Sequence, residues 1–142
     1  MKNFKVFALA LVTAFALYSC SNVEKILPKK DGRWNVTSQT DEEYVDGVLI
    51  TTTSTTDSLP TWQFNSDGTG EVFEFGGASA GTINWVYDDN NETVTITQDG
   101  IGLAFSVIES SKDAQTWTSS IEFEVLGVVS RTDSRYQLAR AE

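Results

Sequence analysis

The chain of 142 residues has no histidine, one cysteine, one methionine and two prolines. Without histidine neither a Ser-His-Asp nor a Cys-His nucleophilic centre can be assembled. The single cysteine, Cys20, excludes an intramolecular disulfide, so the fold must be held without one. Basic residues are also scarce, ten against twenty acidic ones, and they form no stripe. That balance excludes nucleic acid as a natural partner. It reads instead as solubility and repulsion from anionic surfaces. Helical periodicity is missing from the body of the chain, and no apolar run is long enough to span a bilayer.

What is present begins with Lys2 and Lys5, followed by an apolar run from Val6 to Tyr18. A membrane-spanning helix needs roughly 20 residues, and a run of about 13 suits a signal-peptide core. Residues 1–19 therefore read as a signal peptide. The run ends Leu17-Tyr18-Ser19-Cys20, which resembles the lipobox of bacterial lipoproteins. The resemblance implies that the Cys20 thiol receives a diacylglyceryl group and that the chain is cut before it. The new amino group is then acylated. Ser21 stands where inner-membrane lipoproteins often carry Asp, so the resemblance favours the outer membrane and leaves its face open. Without Lys2 and Lys5 the balance becomes eight basic to twenty acidic residues, a formal charge of −12.

Residues 20–31 read as the lipidated N-terminus and a flexible tether. Lys25, Lys29 and Lys30 either rest on anionic lipid or belong to a plain polar linker. One weak helical turn from Val23 to Leu27 fits there before Pro28 stops it.

From Gly32 onward the apolar period is two. Trp34, Val36 and Ser38 alternate with polar residues, and a Thr-rich stretch from Val48 to Thr56 reads as an exposed or edge strand. A disordered or O-glycosylated segment is the competing reading there. Thr61 to Thr97 reads as four strands, with Trp62 and Phe64, Phe73 and Phe75, and Ile83, Trp85 and Tyr87 each expected to share a face. Leu103, Phe105 and Val107 follow. Trp117, Ser119, Ile121, Phe123 and Val125 alternate with Thr118, Ser120, Glu122 and Glu124, and Tyr136 and Leu138 mark a last strand near residues 134–139. Eight to ten short strands without crossover helices must pair antiparallel through hairpins. A small up-and-down β-barrel over residues 32–142 is the expectation, ahead of a β-sandwich, because closure buries one face and removes exposed edges.

Gly32-Arg33-Trp34, the segment Trp62-Gln63-Phe64-Asn65-Ser66-Asp67-Gly68-Thr69-Gly70, and Trp85-Val86-Tyr87 resemble the lipocalin-like lipoproteins of Bacteroidetes-type bacteria. The resemblance implies an antiparallel barrel and, as in true lipocalins, an apolar ligand in its cup. It also implies that Trp34 closes the floor beneath an arginine near the end of the last strand, with Arg135 and Arg140 as candidates.

Two functional readings follow. In the first, a small apolar or amphipathic ligand is lined by some of Phe64, Phe73, Phe75, Trp85, Phe105, Trp117, Ile121 and Phe123. In the second these aromatics fill the barrel, and the protein is a structural or interaction lipoprotein of the cell envelope. No enzyme is expected. The carboxylates Glu122 and Glu124 share a solvated face, and Glu71, placed beside Phe73 and Phe75, reads as a strand-end residue reaching water. No metal or cofactor is expected either: Asp88 to Glu92 lacks the ligand spacing and central glycine of an EF-hand and reads as a turn.

Overall fold

The period-two alternation resolves into nine strands in a computed structural model that describes residues 22–142. They are β1 (Arg33–Val45), β2 (Val48–Thr55), β3 (Thr61–Phe64), β4 (Thr69–Phe73), β5 (Ser79–Asp88), β6 (Thr93–Gln98), β7 (Ile101–Ser110), β8 (Ala114–Val125) and β9 (Val128–Arg140). One short helix, α1 (Val23–Ile26), precedes them. Every strand pairing is antiparallel, and β1 pairs with β9 to close the ring β1-β3-β4-β5-β6-β7-β8-β9. The protein is an all-β up-and-down barrel of eight strands, with β2 as a ninth strand outside the ring. Cys20 and the signal segment lie outside the described residues.

Three of the turns are two residues long with both central φ angles positive: Asp46-Gly47, Asp99-Gly100 and Leu126-Gly127. That backbone matches the right-handed twist of the flanking strands, which is why tight hairpins form there. These three tips lie at one end of the barrel. The connections at 65–68, 89–92 and 111–113 lie at the other end, with α1 and the C-terminus.

The two ends differ because β1 changes neighbours along its length. Near the closed end Arg33–Asn35 pair with β3. Further along, Gln39–Val45 pair with β2 on that same edge. Likewise β7 pairs with β8 only from Ser106 to Ser110, so the outer half of β8 has β9 as its one neighbour. A four-stranded sheet, β2-β1-β9-β8, therefore stands out beyond the ring at the open end.

This arrangement accounts for the strands that alternation underestimated. β1 and β9 run several residues past the stretches expected from their apolar residues, through Asp41-Glu42-Glu43 and Arg131-Thr132-Asp133. Both faces of the projecting sheet are solvated, and no apolar stripe marks its part of β1 and β9; only Ile121, Phe123 and Val125 of β8 keep the alternation there. The Thr-rich segment is strand β2, exposed along its whole length.

Residues 22–31 differ from the flexible tether expected of them. Asn22 caps α1, accepting from the Lys25 N–H at 3.3 Å, and Val23, Ile26 and Leu27 are buried against the barrel. The physical reason is amphipathy: one turn of helix places these apolar residues on a single stripe, and the barrel's lower end offers an apolar surface to receive it.

Candidate functional site

The closed end of the barrel is sealed around Trp34. Trp34 is 0% exposed, and its indole Nε1 donates to the Leu27 carbonyl at 3.0 Å. Arg140 lies over the same ring, its guanidinium carbon 4.2 Å from the centroid. Its Nε donates to Lys112 O at 2.8 Å, Nη1 to Lys29 O at 2.7 Å and Nη2 to Ile26 O at 3.0 Å. One buried cation thus stacks on the first strand's tryptophan and satisfies three backbone carbonyls from α1, the segment after it and the β7–β8 turn. Arg135, the other arginine considered for this place, is on the outer face of β9, across from Thr118 and Thr40. There it lines a polar groove with Thr40, Thr118 and Ser120.

Above this floor the lumen is filled by rings. Trp62, Phe64, Trp85, Phe105, Trp117 and Tyr136 interlock with centroids 5.5–5.9 Å apart, several edge to face. Such contacts add to burial of the rings themselves. Two of the indole N–H groups are satisfied inside: Trp85 Nε1 donates to Asn65 O and Thr69 O, both at 3.0 Å, and Trp117 Nε1 to Gln115 Oε1 at 3.4 Å. Phe64, Trp85 and Trp117 are therefore core, and Phe105 is core with one side turned toward the mouth.

Phe73 and Phe75 do not line the interior. The pairs Trp62–Val72 and Phe64–Gly70 fix the β3–β4 register, which points Gly70 and Val72 inward and Glu71 and Phe73 outward. A side chain at Gly70 would run into the Gln63 carbonyl and Ile83, so the inner face of β4 takes a glycine there. Phe73 packs outside, 4.7 Å beneath the Arg33 guanidinium, and Phe75 follows the end of the strand at 74% exposure. Spacing alone had put Phe73 and Phe75 on a buried face. One residue of register reverses that, because the side-chain period is two.

The open end carries a concavity whose apolar lining continues from the ring-filled core. Trp62, Val72, Ile96, Ile101, Leu103 and Phe105 surround a depression of about 370 Å³, with Gln98 and Asp99 at its rim. The sequence alone does not single out Val72, Ile96, Leu103 and Ile101 for a site. Their alternation on short strands identified an inward face but gave no height along the barrel axis. Ile121 and Phe123 lie on the projecting sheet, both at least half exposed. Register places Phe123, Ser130, Val45 and Val48 in one row on the face continuous with the lumen. A polar row with Ser119, Ser134 and Asp41 separates it from the rings, and Ser134 Oγ donates to Asp41 Oδ1 at 2.6 Å.

Catalytic or metal chemistry finds little support in the placement of carboxylates. Asp88 accepts from the Asn91 side chain at 2.7 Å and from the Asn90 N–H at 2.9 Å, and these bonds hold its carboxyl below the usual range. It serves its own turn. Among the described residues no group of three His, Cys, Asp or Glu is placed to hold a metal ion.

No protein-family model matches the chain. No curated protein sequence matches it. Among solved structures, apocrustacyanin C2 is similar at 13% identity over 87% of this chain and 71% of that one, with a TM-score of 0.44. Lobster apocrustacyanin A1 is similar at 12% identity over the same shares, with a TM-score of 0.40. Likeness at this level carries no argument about function.

Proposed function

We propose that this chain is a lipid-anchored, non-enzymatic lipoprotein of the bacterial outer membrane, of the lipocalin-like kind, that binds a small apolar or amphipathic ligand at the mouth of its barrel. The observation that carries the binding part is the depression between Trp62, Val72, Ile96, Leu103 and Phe105, about 370 Å³ in volume and open to solvent. Its size falls in the range of small-molecule sites, roughly 300–1,000 Å³, and its lining is of the expected apolar kind. Below it the rings leave no room, so the ligand is a short or shallowly bound one that rests on Trp62 and Phe105. The anchoring part rests on the Leu17-Tyr18-Ser19-Cys20 sequence.

The second reading, an interaction lipoprotein, draws on the projecting sheet. Phe123, Val125, Leu126 and Val128 are exposed there together, and apolar surface gathered at one place marks contact sites. Native mass spectrometry of the delipidated protein purified from its host distinguishes the two. A co-purifying small molecule supports the first reading. An empty, folded protein whose tryptophan fluorescence stays unchanged across a panel of fatty acids and other apolar probes rejects it.

A further inference from the structure

The docking of α1 has a consequence for how the barrel sits on a membrane. Only Ser21 stands between Cys20 and Asn22, the first described residue, and Asn22 already caps a helix whose next residue, Val23, is buried. Two residues of chain reach about 7 Å at most. The segment that follows cannot pay out to lengthen the reach without uncovering Val23, Ile26 and Leu27 and breaking the bonds from Arg140 to Ile26 O and Lys29 O. A lipid on Cys20 would therefore be joined to the closed end of the barrel through a single residue, Ser21. All four lysines of the described residues, Lys25, Lys29, Lys30 and Lys112, belong to segments at that end, where Glu24, Asp31, Asp113 and Glu142 also lie. With Arg33 and Arg140, and with Asp67, Asp88, Asp89 and Glu92, counted at the same end, six cationic residues stand against eight acidic ones, so charge gives that end no attraction for anionic headgroups and the covalent geometry sets the orientation.

We infer that the barrel floor, the face formed by α1 and the 111–113 turn, is the surface that rests against the lipid headgroups, and that the mouth and the projecting sheet point into the aqueous compartment. The inference rests on the anchoring of Cys20 proposed above. Strand β6, which walls the mouth, climbs from floor to rim over 6 residues, roughly 20 Å of strand at about 3.3 Å per residue, and the projecting half of β8 reaches further. The mouth is thus held well clear of the bilayer that carries the anchor. Its ligand is exchanged with the aqueous side or with a soluble or facing partner, and is not drawn directly from the anchoring leaflet.

The test uses the full lipidated protein in vesicles. Acylation consumes the Cys20 thiol, so a cysteine introduced elsewhere is the one reactive site. Lys112→Cys at the floor and Leu126→Cys at the tip each carry a fluorophore, and the vesicles contain a headgroup-attached quencher. Quenching several-fold stronger at residue 112 than at residue 126 is expected. Inserting about ten Gly and Ser residues between Ser21 and Asn22, a flexible reach of roughly 5–6 Å times the square root of the number inserted, should sharply reduce quenching at residue 112. Equal quenching at both sites, or stronger quenching at the tip, in protein that floats with vesicles overturns the orientation and leaves the anchor standing. Protein without acyl mass on Cys20 that fails to float overturns the anchor, and the orientation with it.

Discussion

Arg140 lies 4.2 Å over the ring of Trp34, and the two residues face each other across the β1–β9 seam that closes the barrel. The guanidinium also donates to carbonyls of Ile26, Lys29 and Lys112. Arg140→Ala leaves those carbonyls without their partner in a largely buried place. Each charge-assisted bond contributes about 1.5–3 kcal/mol, and solvent entering the vacated site recovers part of that, so a net loss of about 2–4 kcal/mol is expected. Arg140→Lys should recover only a fraction, because an ammonium cannot reach three divergent carbonyls while stacking on an indole. Urea denaturation of both variants measures this, and an Arg140→Ala midpoint equal to wild type would reject the latch.

Leu27 is 0% exposed, and its backbone carbonyl accepts from the same tryptophan. Leu27→Ala should cost about 2–5 kcal/mol, the usual range for a buried Leu truncation. A chain starting at Gly32 should be less stable than one starting at Ser21 by at least as much. Were the segment the plain tether its composition suggested, both changes would leave the melting temperature where it was.

Gly32 and Gly70 sit where backbones approach closely. A Cβ on Gly32 would collide with the Phe64 carbonyl, and one on Gly70 with the Gln63 carbonyl and Ile83. Gly70→Ala should therefore destabilise by about 1–3 kcal/mol, as overpacking does. Ala at Gly47, which has nothing near it, should show only the smaller strain of its positive φ. Comparing the two by thermal melts separates collision from backbone conformation.

How far the sequence reveals this molecule depends on which faces are buried. Trp117, Phe105 and Trp85 recur with their apolar neighbours at every second position on strands that have one dry side, so the barrel and its inner ring are legible. The projecting sheet is wet on both sides, and nothing in Asp41-Glu42-Glu43 announces a strand. Register is the other hidden quantity: Phe73 and Val72 differ by one position, and only the Trp62–Val72 pairing decides which of them faces in. The docking of Val23, Ile26 and Leu27 is hidden for a third reason. Four residues of helix carry too little periodicity to separate from a linker, and the surface that receives them exists only after the barrel closes.

Two turn carboxylates give the stability a pH dependence. Asp67 is held below its ordinary value of 3.8, first by the Thr69 hydroxyl and then by the Thr69 N–H, and Asp88 by the Asn91 side chain and the Asn90 N–H. A carboxyl depressed in the folded state adds stability that is fully present above the unfolded pKa and disappears as pH falls through the folded one. Both contributions should thus be intact above about pH 4 and lost below it. Relief of repulsion among the many acidic residues acts in the opposite direction over the same range. The comparison that isolates the turns is Asp67→Asn against wild type: the variant should be less stable at pH 7, and the gap should narrow as pH falls below 3.8. A gap constant across that range would mean the bonds to Thr69 contribute nothing to pH-linked stability.

The mouth offers the most direct reading of ligand binding. Leu103 is 42% exposed and lines the depression from β7, opposite Ile96 on β6. Because water already reaches it, Leu103→Gln should cost the fold little, within about 1 kcal/mol for a half-exposed site. For a bound apolar molecule it removes part of the lining and places an amide where hydrocarbon would lie. Losing about two buried methylene contacts at about 0.8 kcal/mol each corresponds to roughly a tenfold weaker affinity. Trp117→Phe, deep in the filled part of the lumen, should lower stability but leave the affinity of the remaining folded protein nearly unchanged. Titration of an apolar fluorescent probe, with circular dichroism confirming the fold of each variant, reads both effects. If the deep substitution weakens the probe and the rim substitution does not, the ligand enters the ring-filled lumen, and the site is not the mouth.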